Sequence, residues 1–88
     1  MSKKYYLARP GATVNSWKVE VTGLNNARAM AQKMDSVIDV FELENKSRFV
    51  RIGTVLNNVS KNAIWKDKRT GEVYELYKNG KTKLKLNG

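Results

Sequence analysis

The sequence predicts an α+β fold, with one helix packed on a mainly antiparallel sheet and a β-rich, basic C-terminal meander. Three observations predict this class. Short runs of alternating apolar and polar residues recur along the chain, turn residues separate them, and only one stretch has helical spacing. Because 88 residues leave room for one hydrophobic core, we expect a single domain over residues 1–88.

The first third of the chain predicts a hairpin. The run KKYYLARPG contains the strand-forming residues Tyr5 and Tyr6 and stops at the turn pair Pro10-Gly11. The run WKVEV then alternates, which places Trp17 on one face together with its valines. The two runs are expected to pair with each other across a long loop.

The stretch TGLNNARAMAQKMDS, residues 22–36, is the predicted helix. Its apolar residues fall at steps of three and four and form one stripe for the core: Leu24, Ala27, Ala31 and Met34, with Met30 beside them. The remaining side chains are expected to face water: Asn25, Asn26, Arg28, Gln32 and Lys33.

The middle of the chain predicts two neighbouring strands. VIDVFELE has the composition of a central strand, and SRFVRIG returns antiparallel after a turn at Asn45-Lys46. The next segment, TVLNNVSKN, is predicted to extend that strand through Leu56, turn at Asn57-Asn58 and begin another strand.

The C-terminal third predicts a three-strand meander: AIWK, the turn DKRTG, EVYELYK, the turn NG, and KTKLKL. Asn79-Gly80 between alternating strands is typical of a two-residue type I′ hairpin turn, because both residues tolerate positive φ. This turn would pair Lys78 with Lys81. Further along the hairpin it would pair Glu75 with Leu84, Tyr74 with Lys85 and Val73 with Leu86.

That register predicts a row of four lysines on one face of the last hairpin: Lys78, Lys81, Lys83 and Lys85, around Tyr74 and Leu76. The opposite face, which includes Tyr77 and Leu84, is mostly apolar and is therefore expected to be core. An alternative interpretation remains open, because edge strands often carry lysines that prevent aggregation between sheets.

The charge distribution favours a binding role for these lysines. The chain carries 17 Lys and Arg against 8 Asp and Glu, a net charge of +9. Residues 1–45 hold six basic against five acidic residues, whereas residues 46–88 hold eleven against three. A one-sided positive field attracts polyanions, so the expected partners are nucleic acid, an acidic protein surface or anionic lipid.

Composition argues against several classes of function. The chain contains no histidine and no cysteine, the residues of the usual zinc sites, thiolate nucleophiles and imidazole bases. The acidic residues form no recognisable ligand cluster, and Asp67 and Glu72 are explained by turn chemistry. We therefore expect a non-enzymatic protein with no cofactor and no metal. Without a long apolar run, we also expect it to be cytoplasmic and not membrane-bound.

These patterns predict a protein that contacts the nucleic-acid backbone. The expected contact residues lie in the meander and on the strand before it: Lys66, Lys68, Arg69, Tyr74, Lys78, Lys81, Lys83 and Lys85, joined by Arg48 and Arg51. Signature residues of the common nucleic-acid modules are absent from the sequence, so binding is expected to depend on salt and little on base sequence.

The stretch VEVTGLNNARAMAQKMDSVIDVFELE, in its order of strand, helix and strand, resembles small phage-encoded proteins that take over host machinery. This class includes phage inhibitors of host RNA polymerase and small anti-CRISPR proteins. The resemblance covers roughly residues 5–44 and rests on layout and size. It implies an alternative function, in which the protein blocks a nucleic-acid-handling host enzyme by binding to it stoichiometrically.

Overall fold

A computed structural model describes residues 3–11, 19–34, 36–45, 47–58 and 61–86. Its single helix, α1, spans Leu24–Ala31. The seven strands are β1 Lys4–Ala8, β2 Val19–Thr22, β3 Val37–Glu44, β4 Arg48–Asn58, β5 Lys61–Asp67, β6 Val73–Leu76 and β7 Thr82–Leu86. They form one sheet in the order β2-β1-β3-β4-β5-β6-β7, and each neighbouring pair is antiparallel. The predicted α+β class is confirmed.

The strand predictions are largely confirmed. The N-terminal hairpin pairs Tyr5 with Val21, and β3 lies between β1 and β4 as a central strand. Strand β4 runs to Asn58, so the predicted turn at Asn57-Asn58 is wrong, and the meander β5-β6-β7 completes the sheet. Trp17 and Lys46 lie outside the described residues.

The hydrophobic core lies between α1 and one face of the sheet. It combines helix residues with inward side chains from strands β1 and β3 to β6: Tyr5, Leu7, Ala27, Ala31, Ile38, Val40, Ile52, Val55, Ala63, Trp65 and Leu76. Residues two apart on a strand share a face, so the intervening side chains point away from the helix. We call the side of β4–β7 that points away from α1 the open face.

Helix α1 is shorter than predicted and depends on its contacts with the rest of the fold. It starts after Gly23, whose φ of 90° suits glycine, and no side chain caps this end. After Ala31 the chain continues in a looser turn, in which Met34 donates its backbone N–H to the Ala31 carbonyl at 3.2 Å. The same carbonyl accepts a bond from Asn57 Nδ2 at 3.0 Å. Eight residues are too few for a stable isolated helix, so packing on the sheet must hold it.

The prediction that Arg28 faces water is wrong, because the C-terminal end of the sheet also contacts the helix. Arg28 is only 7% exposed, and its Nε donates to the Gly80 carbonyl at 2.7 Å. Its Nη2 donates to Asn25 Oδ1 at 2.6 Å, and its guanidinium lies 5.3 Å from the centre of the Trp65 ring. Burial lowers the pKa of Arg28. Met30, placed with the apolar stripe, is instead 41% exposed.

The turn between β6 and β7 also differs from the prediction. Tyr77 and Lys81 are joined by a bond from the Tyr77 N–H to the Lys81 carbonyl at 2.8 Å, so three residues, not two, connect them. Only Gly80 has positive φ there, whereas Asn79 uses its side-chain Oδ1 to accept the Lys81 N–H. Lys78 therefore does not pair with Lys81.

In the described part of the chain, no helix is long and apolar enough to cross a membrane.

Candidate functional site

The four lysines of the predicted row do not share a face. Lys83 Nζ lies 4.0 Å from Glu75 and 5.8 Å from the centre of the Tyr77 ring, on the open face. Lys85 Nζ lies 3.0 Å from Glu72, on the other side of the hairpin. Lys78 and Lys81 lie in the turn between β6 and β7. The prediction of a lysine row on one face is therefore wrong. Lys83 and Lys85 also contact carboxylates of the chain.

The two faces of the last hairpin are exchanged relative to the prediction. The pairs Tyr74–Lys85 and Glu75–Leu84 form as expected, and a register shift beside Leu76 absorbs the extra loop residue. However, Leu76 is fully buried against the core, whereas Leu84 is 58% exposed. The cause lies in the neighbouring strand. Trp65 is part of the core and pairs with Tyr74, so the side of β6 that carries Tyr74 and Leu76 faces the helix.

Tyr74, a predicted contact residue, is partly buried and packs against the core, on the face opposite the open face. Its hydroxyl donates to Glu72 Oε2 at 2.6 Å. This bond raises the pKa of Tyr74, and together with Lys85 it lowers the pKa of Glu72 from its ordinary value of 4.5. The three side chains form a structural cluster that fixes the start of β6.

Three of the predicted contact residues do come together, in a pocket of about 320 Å³. We call it the basic pocket; it is lined by Arg51, Thr54, Leu56, Lys66, Asp67, Lys68 and Gly71. Thr54 and Lys66 are direct partners in neighbouring strands, so both point to the open face. Arg51 comes from the same side of β4, and Lys68 from the turn between β5 and β6.

The charges of the basic pocket differ in how far they are compensated. In the described part of the chain, no carboxylate lies within 4.0 Å of the ammonium of Lys66 or Lys68. Arg51 Nη1 lies 3.8 Å from Asp39 Oδ2, and Thr54 Oγ1 donates to the other oxygen of Asp39 at 2.8 Å. The two lysines therefore carry the uncompensated positive charge of this site.

Asp67 is the acidic residue of the pocket wall, and its carboxylate is used by its own turn. Its Oδ1 accepts the backbone N–H of Arg69 at 2.8 Å and of Thr70 at 3.1 Å. The Gly71 N–H donates to the Asp67 carbonyl at 2.9 Å, which closes the turn. The predicted turn chemistry of Asp67 is confirmed. The same geometry holds Lys68 in place at the rim of the pocket.

The other predicted contact residues lie apart from this pocket. Arg69 follows Lys68 in the turn, and its Nε lies 4.0 Å from Asp67. Arg48 is exposed at the start of β4, where it faces Glu44 across the strand pair. Lys78 borders a second concavity, together with Gln32 and Lys33 of the helix segment. The cations therefore form two separate groups, at opposite ends of β6.

Four pocket residues, Thr54, Leu56, Asp67 and Gly71, were not predicted as site residues. The positions of Thr54 and Leu56 depend on the register between β4 and β5, in which Thr54 pairs with Lys66 and Leu56 with Ile64. The sequence TVLNNVSKN predicts a turn at Asn57-Asn58, which the structure places within β4, so the sequence does not give this register. A prediction of this pocket would have needed that pairing.

Comparison with known proteins gives no family for this chain. No protein-family model, no curated protein and no solved structure matches it. The α+β fold and the geometry of the basic pocket are therefore the basis for a functional proposal.

Proposed function

We propose that this protein is a non-enzymatic binding protein that contacts the nucleic-acid backbone through the basic pocket. The observation that carries the proposal is the convergence of Lys66 and Lys68 with Arg51 around one concavity of the open face, where the described residues place no carboxylate within 4.0 Å of either lysine ammonium. A site lined by cations suits a phosphate group of a polymer. This replaces the lysine row as the proposed site.

The remaining basic residues contribute in a graded way. Arg69 and Lys83 each have a carboxylate only at 4.0 Å, and their side chains are 56% and 41% exposed. They add to the positive field that draws a polyanion toward the open face. Backbone contacts carry no base sequence information, so we expect sequence-independent affinity that falls steeply with salt.

Two double variants test this proposal. Lys66→Ala/Lys68→Ala removes two cations of the pocket, and Lys78→Ala/Lys81→Ala removes two exposed cations at the opposite end of β6. Both lower the net charge equally, so a difference between them reports position. Binding of a mixed-sequence DNA duplex is measured by fluorescence anisotropy over a range of salt concentrations.

We expect the pocket variant to bind far more weakly, with a slope of log K against log salt reduced by about 1.8 if both lysines contact phosphates. The Lys78→Ala/Lys81→Ala variant should bind the duplex with an affinity close to that of the wild type. Equal losses in the two variants would mean that net charge alone matters. Undetectable binding of the wild type at low salt, both to this duplex and to one of its single strands, would end the proposal.

A protein partner is the second candidate, as the resemblance to phage inhibitors of host machinery implies. The observation that favours it is the exposure of large apolar side chains on the open face, Tyr77 and Leu84, because exposed apolar patches often mark protein contacts. A complex with one host nucleic-acid enzyme that forms stoichiometrically after nuclease treatment, while DNA binding is absent, would favour this candidate.

A further inference from the structure

The open face carries a row of apolar side chains directly beside the basic pocket. Leu56 pairs with Ile64, Ile64 with Glu75, and Glu75 with Leu84, so these positions cross four neighbouring strands, with the acidic Glu75 at the position on β6. Tyr77, two residues beyond Glu75, lies on the same face and is 49% exposed. We call Leu56, Ile64, Leu84 and Tyr77 the apolar row.

The basic pocket and the apolar row are adjacent. Lys66 lies two residues from Ile64 on the same face of β5, a step of about 6.6 Å along the strand. Leu56 belongs to both, since it also lines the pocket. Neighbouring strands of the sheet are about 4.8 Å apart. A nucleic-acid strand whose phosphates are bound by Lys66 and Lys68 can therefore place its adjoining bases on the apolar row.

A duplex cannot use such a surface fully, because its bases are stacked inside and only phosphates and groove edges reach a protein. In a single strand the bases can turn outward and pack on apolar or aromatic side chains. On the basis of the function proposed above, we propose that the apolar row receives unpaired bases and that the protein prefers single-stranded nucleic acid to duplex.

One acidic side chain lies within this surface, and the protein compensates its charge. Glu75 Oε2 accepts a bond from Asn62 Nδ2 at 3.1 Å, and Lys83 Nζ lies 4.0 Å from Oε1. Its remaining negative charge opposes the approach of a phosphate. Glu75→Gln keeps the shape of the side chain and is therefore expected to tighten single-strand binding by about twofold or more.

The decisive comparison uses one labelled mixed-sequence oligonucleotide, free and annealed to its complement, at matched salt. We expect the wild type to bind the free strand more tightly. Tyr77→Ser/Leu84→Ser, which alters two exposed side chains, should weaken single-strand binding at least about fivefold and leave duplex binding unchanged. Met30→Ser removes an exposed apolar side chain from the helix and serves as the control; it should change neither.

The outcomes separate this inference from the function on which it rests. Equal affinity for the two forms, or an equal loss of both in the Tyr77→Ser/Leu84→Ser variant, would overturn the single-strand preference. If Lys66→Ala/Lys68→Ala still weakened binding selectively, the proposed function would stand. A protein that binds neither form at low salt would overturn both. Circular dichroism of each variant shows that the fold is retained.

Discussion

At the scale of single residues, Gly80 has no room for a side chain. Its φ is 90°, and a Cβ atom placed there would overlap the carbonyl oxygen of Asn25 and lie 2.9 Å from the backbone nitrogen of Ala29. Both atoms are helix backbone and cannot move aside as a flexible side chain would. Glycine is required at this position because the turn touches the helix directly.

We therefore expect Gly80→Ala to lower the free energy of unfolding by more than about 2 kcal/mol. Gly71→Ala is the matched control, because Gly71 also has positive φ, but a Cβ added there would meet no atom within 4 Å. It should lose only the conformational cost, about 1 kcal/mol. Urea denaturation measures both values, and equal losses would contradict the close contact between turn and helix.

At the scale of elements, the carboxylate of Glu72 fixes the start of β6, and the direction in which its protonation changes stability can be predicted. Tyr74 and Lys85 both bond to Glu72 and lower its pKa from 4.5. A carboxylate with a lowered pKa in the folded state stabilises the fold above its ordinary pKa, and this contribution is lost as the pH falls through the folded value.

Glu72→Gln is expected to flatten the acid side of the stability profile. Between about pH 6 and pH 3, the wild type should lose more of its free energy of unfolding than the variant, since the variant has no carboxylate to protonate there. Glu44→Gln is the control, because no cation of the described residues lies within 4.0 Å of this exposed side chain. Identical profiles of the two variants would show that the cluster around Glu72 does not form.

The last hairpin also shows how far the sequence predicts an element. Alternation predicted the pairing of Val73 with Leu86 and of Glu75 with Leu84, and both pairs are confirmed. The predicted orientation of the hairpin was wrong. The face that includes Leu84 carries more apolar residues, and it was therefore expected to be the buried one. Which face of the hairpin is buried depends on its contacts with Trp65 in the neighbouring strand and with the helix. The sequence of the hairpin alone does not indicate these contacts.

The lysines of β7 fit the alternative role that the sequence left open. Strand β7 is the last in the sheet order, so one of its edges has no neighbour among the described strands. Lys83 and Lys85 are exposed there, and a register irregularity interrupts the ladder beside them. Charges and bulges on an edge strand hinder pairing with a second sheet. Of the predicted contact residues, Lys66, Lys68 and Arg51 remain in the binding site that we propose.

At the scale of the whole molecule, α1 contacts both the N-terminal hairpin and the turn between β6 and β7. The helix packs on β1 and β2, and three side-chain bonds tie it to later segments. Arg28 bonds to Gly80, Gln32 Nε2 donates to the Tyr77 carbonyl at 2.8 Å, and Asn57 bonds to Ala31. The sequence predicted the helix but not these bonds, since a helical stripe indicates only one buried side.

Arg28→Met tests this connection. It keeps much of the apolar volume over Trp65 but leaves the Gly80 carbonyl without its charged donor, so we expect the free energy of unfolding to fall by about 2–3 kcal/mol. Met30→Ala, on the same helix but exposed, should cost less than about 1 kcal/mol. Native-state hydrogen exchange should show faster exchange in both α1 and the turn between β6 and β7. Acceleration confined to the helix would mean that the two are independent.

The contact between Gly80 and the helix has a practical consequence for labelling and engineering. A hairpin tip is normally the first choice for inserting an epitope or attaching a dye, because it is exposed and tolerant. Here Gly80, in the tip between β6 and β7, is buried against the helix, so a longer tip would disturb this contact. The turn at Thr70 has open space beside Gly71 and fits an insertion without this clash, but Lys68 and Gly71 of the same turn line the basic pocket.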